Sequence, residues 1–183
     1  DDDVTLFGRY DENGKKAKMD ASICHEIFER VRQLPYEIVG INYVQHAWYR
    51  QRDMSVNSKF AEVCVLMNTS RINWRYRAEF DTKEDRDFAM QTIRDGAGIL
   101  RFNRYFFSCP GVGANSGGLQ DLYKKKRDEL AVQSMCEEWT PFLTPRLKKD
   151  RIDIKADLKA LALRQLKHIA SYDNISVSDC SRR

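Results

Sequence analysis

The length and composition of the chain exclude several classes of protein. Its 183 residues are 42% hydrophobic, which is enough for one domain with an accessory element or for two small domains. No apolar run approaches the ~20 residues of a membrane-spanning helix, and the formal net charge of +4 is only mildly basic. The composition therefore predicts a globular protein that can contact nucleic acid, and no membrane partner.

The cysteines indicate the compartment. Five of them are widely spaced, without a Cys-x-x-Cys pair: Cys24, Cys64, Cys109, Cys136 and Cys180. This pattern is typical of reduced thiols, so we expect an intracellular protein, nuclear or cytoplasmic. Cys24 is adjacent to His25, a spacing that does not easily present both side chains to one metal. We predict no metal site and no cofactor.

The first third of the chain predicts a strand, a basic turn and a helix. Residues 4–10 are apolar and aromatic, as in a first strand, and residues 11–18 form a turn with three lysines. Residues 20–34 follow the helical period, with Asp20 as the N-cap. The apolar face of this helix consists of Ile23, Ile27, Val31 and Leu34.

The middle of the chain predicts three strands, the last of which has an unusual polar face. Residues 37–49 and 60–67 are rich in apolar residues. Residues 72–80 alternate strictly between apolar and polar side chains, as in a strand with one buried face and one wet face. The wet face carries two arginines, Arg75 and Arg77.

A second helix and a final strand follow. The period becomes helical over residues 82–94, and residues 100–109 are rich in aromatics, which predicts the last strand of the sheet. We expect one core between the sheet and both helices, formed by Ile27, Val31, Tyr76, Ala78, Phe80, Phe88 and Ile93.

Residues 72–94 resemble the third strand and second helix of an RNA recognition motif (RRM). The family's strand motif can be laid on residues 73–80. Its core-facing positions then fall on Tyr76, Ala78 and Phe80. Its RNA-stacking positions fall on Arg75 and Arg77 where the family has aromatics, and Trp74 occupies the position of its glycine. The resemblance implies a sheet face that binds RNA with guanidinium groups, or one that has lost RNA binding.

The resemblance has two further implications. The family displays an aromatic on its first strand, which is Phe7 here if Leu6 and Gly8 point inward, with Tyr10 as the alternative. The family also has one strand between its first helix and its motif strand, whereas this chain has two. We therefore expect an enlarged sheet, or a long hairpin inserted into it.

The C-terminal third predicts helices. Residues 110–118 are a Gly-rich linker, and residues 119–139 are a helix that carries a basic run, KKKR. Residues 151–170 are a second helix, and from residue 171 the chain is polar and is predicted to be disordered. The apolar stripe of the second helix is a candidate protein interface, formed by Ile154, Leu158, Leu161, Leu166 and Ile169.

Together these patterns predict an α+β fold of the ferredoxin-like or RRM-like kind. An antiparallel sheet, with an extra strand, carries two helices on one face and is followed by C-terminal helices. The chain divides into an RRM-like domain (4–109), a linker (110–118), a helical extension (119–170) and a tail (171–183).

The function predicted from these features is a non-catalytic RNA-binding or ribonucleoprotein-scaffold module for single-stranded RNA. The candidate RNA contacts are Phe7, Lys15, Lys16, Arg75, Arg77, Lys124, Lys125, Lys126 and Arg127. The alternative is a protein-interaction or dimerisation module of the same fold. Without paired carboxylates at fixed spacing or a Ser-His-Asp arrangement, we predict no enzyme and no catalytic residue, although ferredoxin-like sheets also support enzymes.

Overall fold

The structure is a computed structural model that describes residues 4–18, 20–48, 52–58, 60–80, 82–110, 127–148 and 151–172. Its elements in chain order are β1 (Leu6–Tyr10), β2 (Lys16–Lys18), α1 (Ala21–Arg32), β3 (Ile38–Tyr43), β4 (Met54–Val56), β5 (Val65–Met67), α2 (Glu84–Arg94), β6 (Ile99–Ser108), α3 (Arg127–Glu138), β7 (Leu143–Lys148), β8 (Arg151–Ala156) and α4 (Leu158–Tyr172). None of these helices is long and apolar enough to cross a membrane.

Six strands form one mixed sheet around β6. The strand order is β2-β1-β6-β3-β5, and β4 also pairs with β6. The ten-residue β6 accommodates three neighbours because β3 follows one edge, while β4 and then β1 pair along the other. The α+β class and the enlarged sheet are confirmed. The purely antiparallel sheet is wrong, because β3 and β6 run parallel, joined by a crossover that contains α2.

Helix α1 forms where the sequence predicts it. The Asp20 carboxylate accepts hydrogen bonds from the backbone N–H groups of Ser22 and Ile23, at 2.9 and 3.1 Å. This N-cap satisfies two of the donors that the first turn leaves without helical partners. Ile23 and Ile27 are buried against the sheet.

The two predicted helices lie on opposite faces of the sheet, and the prediction of one shared face is wrong. In β3, Val39 and Ile41 pack in the cluster that contains α1, whereas Ile38 packs in the cluster that contains α2. Successive strand residues point to opposite faces, so both faces of β3 are covered. Strands of a parallel pair are often buried in this way, which is why β3 is almost continuously apolar.

Residues 72–80 are not a strand, although their alternation predicts one. Trp74 and Phe80 are buried as expected, but Tyr76 is 53% exposed and Ala78 is exposed. The segment lies along α2 instead of pairing in the sheet. The Gln91 side chain donates to the carbonyl of Arg75 at 3.0 Å, replacing a ladder hydrogen bond.

The first part of the predicted helix 151–170 is a strand. Strands β7 and β8 form an antiparallel hairpin with Leu143 opposite Ala156 and Lys148 opposite Arg151. The sequence RIDIKA alternates with a period of two, which is the signal of a strand, and α4 begins only after it.

The C-terminal elements share a hydrophobic cluster with α2. Leu158 and Leu161 of α4 and Ile154 of β8 are buried in the same cluster as Phe88 and Ile93 of α2. Of the predicted single core, Ile27 and Val31 belong to the cluster on the α1 side, so the core is divided by the sheet. The linker after Pro110, the start of the predicted helix 119–139 and the tail beyond residue 172 lie outside the described residues.

Candidate nucleic-acid interface

The face of the sheet opposite α1 carries aromatic and basic side chains at its β1–β2 end. Helix α2 covers this face near β3, whereas residues 44–48 lie over it near β1. We call this region, together with Arg101 further along β6 beside β4, the aromatic–basic surface, and it comprises Tyr10, Lys16, Lys18, Trp48, Arg101 and Phe106.

Two aromatic rings from neighbouring strands form the base of the surface. Tyr10 of β1 and Phe106 of β6 are both buried, and their ring centroids are 5.4 Å apart. Gly8 lies opposite Phe106 in the β1–β6 register. A Cβ at Gly8 would come within 2.6 Å of the Phe106 ring, so glycine is required for this ring to lie flat on β1.

Trp48 is the exposed aromatic of the surface. Its side chain is 49% exposed and its ring centroid lies 6.3 Å from that of Tyr10 in an edge-on arrangement. Its backbone N–H donates to the carbonyl of Asn103 at 3.3 Å. Asn103 is itself buried and is held by hydrogen bonds from Asn42 and Ser55. The half-exposed indole is thus held beside Asn103, close to the register shift in the pairing of β3 with β6.

Lysines from β2 border the aromatic rings. In the β1–β2 register Lys16 lies opposite Tyr10 and Lys18 lies opposite Gly8, so both share their face. The Lys16 ammonium lies 5.5 Å from the Tyr10 centroid and 5.9 Å from the Phe106 centroid, within the range of a cation–π interaction. Both lysines are exposed.

Arg101 adds a partly desolvated cation. It lies opposite Gly40 of β3 and Ser55 of β4, which places it on the same face two residues before Asn103. Its Nε is buried without a hydrogen-bond partner, and within the described ranges it makes no ion pair. Burial lowers the pKa of its guanidinium. The nearby Glu62 carboxylate opposes this shift without forming an ion pair, so the buried Nε still has no hydrogen-bond partner in the part of the chain that the structure describes.

The predicted RNA contacts are distributed differently. Phe7 packs on the α1 side of the sheet, so Tyr10, the alternative, is the β1 aromatic on the opposite face. Arg77 donates to the buried Asp87 carboxylate at 2.7 Å and to Glu138 at 3.0 Å, which engages its guanidinium inside the protein.

The remaining predicted basic contacts are exposed or lie outside the described part of the chain. Arg75 and Lys15 are exposed, and Lys15 is in the turn beside Lys16. Arg127 is exposed at the start of α3. The rest of the basic run, Lys124, Lys125 and Lys126, is outside the described residues.

The predicted protein interface is partly internal. Ile154, Leu158 and Leu161 are buried in the cluster with α2, whereas Leu166 is 50% exposed. The side chain of Ile169 is outside the described residues.

A cluster of carboxylates lies at the start of α2. Arg86 donates to Glu62 at 2.8 Å and to Asp153 at 2.6 Å. Burial and the nearby Glu62 raise the pKa of Asp85 from 3.8 to about 7. Burial alone would raise the pKa of Asp153, but the Arg86 guanidinium holds it well below its ordinary value.

Sequence reasoning missed Trp48, Lys18 and Arg101 as members of one surface. Trp48 falls within residues 37–49, a predicted strand that in fact ends at Tyr43, and the pattern of residues 100–109 does not indicate which face of that strand is exposed. The pairing of β6 with β1, β3 and β4 places the strand residues on one face, and the packing of residues 44–48 on Tyr10 and Phe106 adds Trp48.

Comparison with known proteins gives no family for this chain. No protein-family model matches it, and searches of curated proteins and of solved structures find no match.

Proposed function

We propose that the protein is a non-catalytic module that binds single-stranded RNA on the aromatic–basic surface. The observation that carries this proposal is the half-exposed ring of Trp48, which packs against Tyr10, the ring that Lys16 of β2 borders. Unpaired bases stack on exposed aromatic rings, and lysine and arginine neutralise the phosphates between them. The RRM resemblance does not support this proposal, because residues 72–80, on which the resemblance was based, are not a strand.

Each part of the surface has a separate role in this proposal. Trp48 stacks on one base, while Lys16 and Lys18 bind the backbone along β2. Arg101 supplies a further cation, whose buried Nε has no hydrogen-bond partner among the described residues. Tyr10 and Phe106 support the surface from beneath and contribute little exposed area.

Trp48→Ala is expected to weaken binding of single-stranded RNA by about 1–3 kcal/mol, or roughly 5- to 150-fold in Kd, because one stacked base is lost. The measurement is fluorescence anisotropy with a labelled RNA at fixed salt. Phe28→Ala is the matched control, because Phe28 is 58% exposed on α1 and the substitution removes an exposed ring away from the aromatic–basic surface. Equal affinities for the two variants would show that Trp48 does not stack on RNA.

A protein-interaction role is the second candidate, and exposed leucines favour it. Leu163 and Leu166 of α4 are 56% and 50% exposed, and their spacing places them on one side of the helix. If this side binds a second copy, Leu163→Gln/Leu166→Gln is expected to lower the mass measured by light scattering from dimer to monomer. A monomeric parent at all concentrations would exclude self-association.

A further inference from the structure

The β7–β8 hairpin presents a strongly basic face. The antiparallel register places Thr144 opposite Lys155, Arg146 opposite Asp153 and Lys148 opposite Arg151. Directly opposed residues of a hairpin share one face, and alternate residues along each strand do so too. The face therefore combines four cations with one carboxylate. Residues 144–148 are all exposed, as is Lys155.

The single carboxylate of this face does not neutralise its cations. Asp153 is buried and already receives Arg86 of α2 at 2.6 Å. Arg146 and Lys148 lie 3.4 and 3.6 Å from its other oxygen, so three cations share one negative charge. Neither Arg151 nor Lys155 makes an ion pair within the described ranges.

One pair in the hairpin opposes folding. Lys148 and Arg151 lie directly across from each other, and like charges in that position destabilise a sheet. The apolar side of the hairpin, with Leu143 and Ile154 in the core, already explains how the hairpin is held on the domain. Arg151 and Lys155 add no ion pair to that packing within the described residues. An anionic partner would relieve their repulsion, which gives the arrangement a physical reason.

We propose that the basic face of the β7–β8 hairpin is a second contact for RNA, and that it binds phosphates by charge without reading bases. This inference rests on the proposed function, which supplies the RNA. Within the described hairpin the face has no exposed aromatic side chain, so stacking is assigned to Trp48 and charge neutralisation to the hairpin. The two surfaces then differ in how their contributions respond to salt.

The test measures the affinity of the full chain for a labelled single-stranded RNA over a series of salt concentrations. Each phosphate neutralised on a single strand contributes about 0.7 to the slope of log affinity against log salt. Lys148→Gln/Arg151→Gln is expected to reduce the slope by about 1.4, if each residue neutralises one phosphate. Lys148→Arg/Arg151→Lys keeps both charges and is expected to keep the slope.

The matched control is Lys159→Gln/Lys167→Gln, which removes two exposed lysines from α4. A hairpin variant with the same slope as this control overturns the inference. Loss of binding to vesicles of anionic lipid, with RNA binding unchanged, also overturns it in favour of a membrane partner. Thermal melting of each variant confirms that the comparison is between folded proteins.

The outcome for Trp48→Ala separates the two proposals. If Trp48→Ala weakens binding and the hairpin variant does not lower the slope, only the hairpin inference fails. If the hairpin variant lowers the slope and Trp48→Ala binds as the parent does, the hairpin inference stands and the aromatic–basic surface fails. A parent that binds no RNA at low salt overturns both.

Discussion

Asp87→Ala is expected to lower the free energy of unfolding by about 3–5 kcal/mol, because it leaves the Arg77 guanidinium without its buried partner. The Asp87 side chain is fully buried and accepts from Arg77, from Gln91 at 2.8 Å and from the Trp139 indole at 2.8 Å. It joins residues 72–80 to α2 and to the end of α3. Urea unfolding monitored by tryptophan fluorescence measures the loss.

Asp95→Ala is the matched control for this prediction. Asp95 also pairs with an arginine, Arg94, but both side chains are substantially exposed. Such surface pairs contribute roughly 0–1 kcal/mol. If Asp87→Ala and Asp95→Ala unfold at the same urea concentration, the Asp87 network does not hold residues 72–80 in place.

Asp85→Asn is expected to remove a pH dependence of stability between pH 3.8 and about 7. The folded protein retains a proton on Asp85 in this range after the unfolded chain has released it. The stability that protonated Asp85 contributes is therefore fully present below pH 3.8 and is lost as the pH rises to about 7. A shift of this size corresponds to at most about 4 kcal/mol, at 1.36 kcal/mol per pKa unit.

Other charges around Asp85 have identifiable effects. Glu62 and Glu84 raise its pKa, and Arg86 opposes them. Asp153 acts with the opposite sign, because its lowered pKa contributes stability that is lost only as the pH falls below 3.8. The two carboxylates therefore affect separate pH windows.

The experiment compares unfolding free energies of the parent and Asp85→Asn from pH 4 to pH 8. The variant is expected to be more stable at the upper end by roughly 2–4 kcal/mol, with a flat profile through the window. Glu84→Gln removes one of the charges that raise the pKa of Asp85 but leaves Asp85 in place, so it is expected to move the slope to a slightly lower pH without abolishing it. Parallel profiles for parent and Asp85→Asn would show that Asp85 does not titrate in this range.

The parts of the fold predicted from the sequence are those fixed by local periodicity. Helix α1 has both an N-cap and an apolar stripe, and α2 has a stripe that includes Phe88 and Ile93. Such signals depend on residues a few positions apart, so one sequence contains them completely. The same holds for RIDIKA in β8, whose alternation indicates a strand, although the longer apolar stripe of residues 151–170 predicts a helix.

The features that were not predicted depend on partners distant in the chain. Arg77 looked like a solvent-facing residue of a strand, because Asp87 and Glu138 meet it only after α2 and α3 have packed. The parallel direction of β3 and β6 is likewise set by the crossover through α2 and not by either strand's composition. The aromatic–basic surface was not predicted as a unit for the same reason, since Lys16, Trp48 and Arg101 come from three separate segments.

The most direct test of RNA binding by the aromatic–basic surface is ultraviolet crosslinking of the full chain to single-stranded RNA, with the crosslinked peptides identified by mass spectrometry. The predicted result is a crosslink at Trp48 or in the peptides that contain Tyr10 and Lys16, which is lost when unlabelled RNA competes. Crosslinks confined to α4, where Leu163 and Leu166 are exposed, would contradict the account. So would a crosslink yield at Trp48, Tyr10 and Lys16 no higher than the yield at Phe28 on the opposite face.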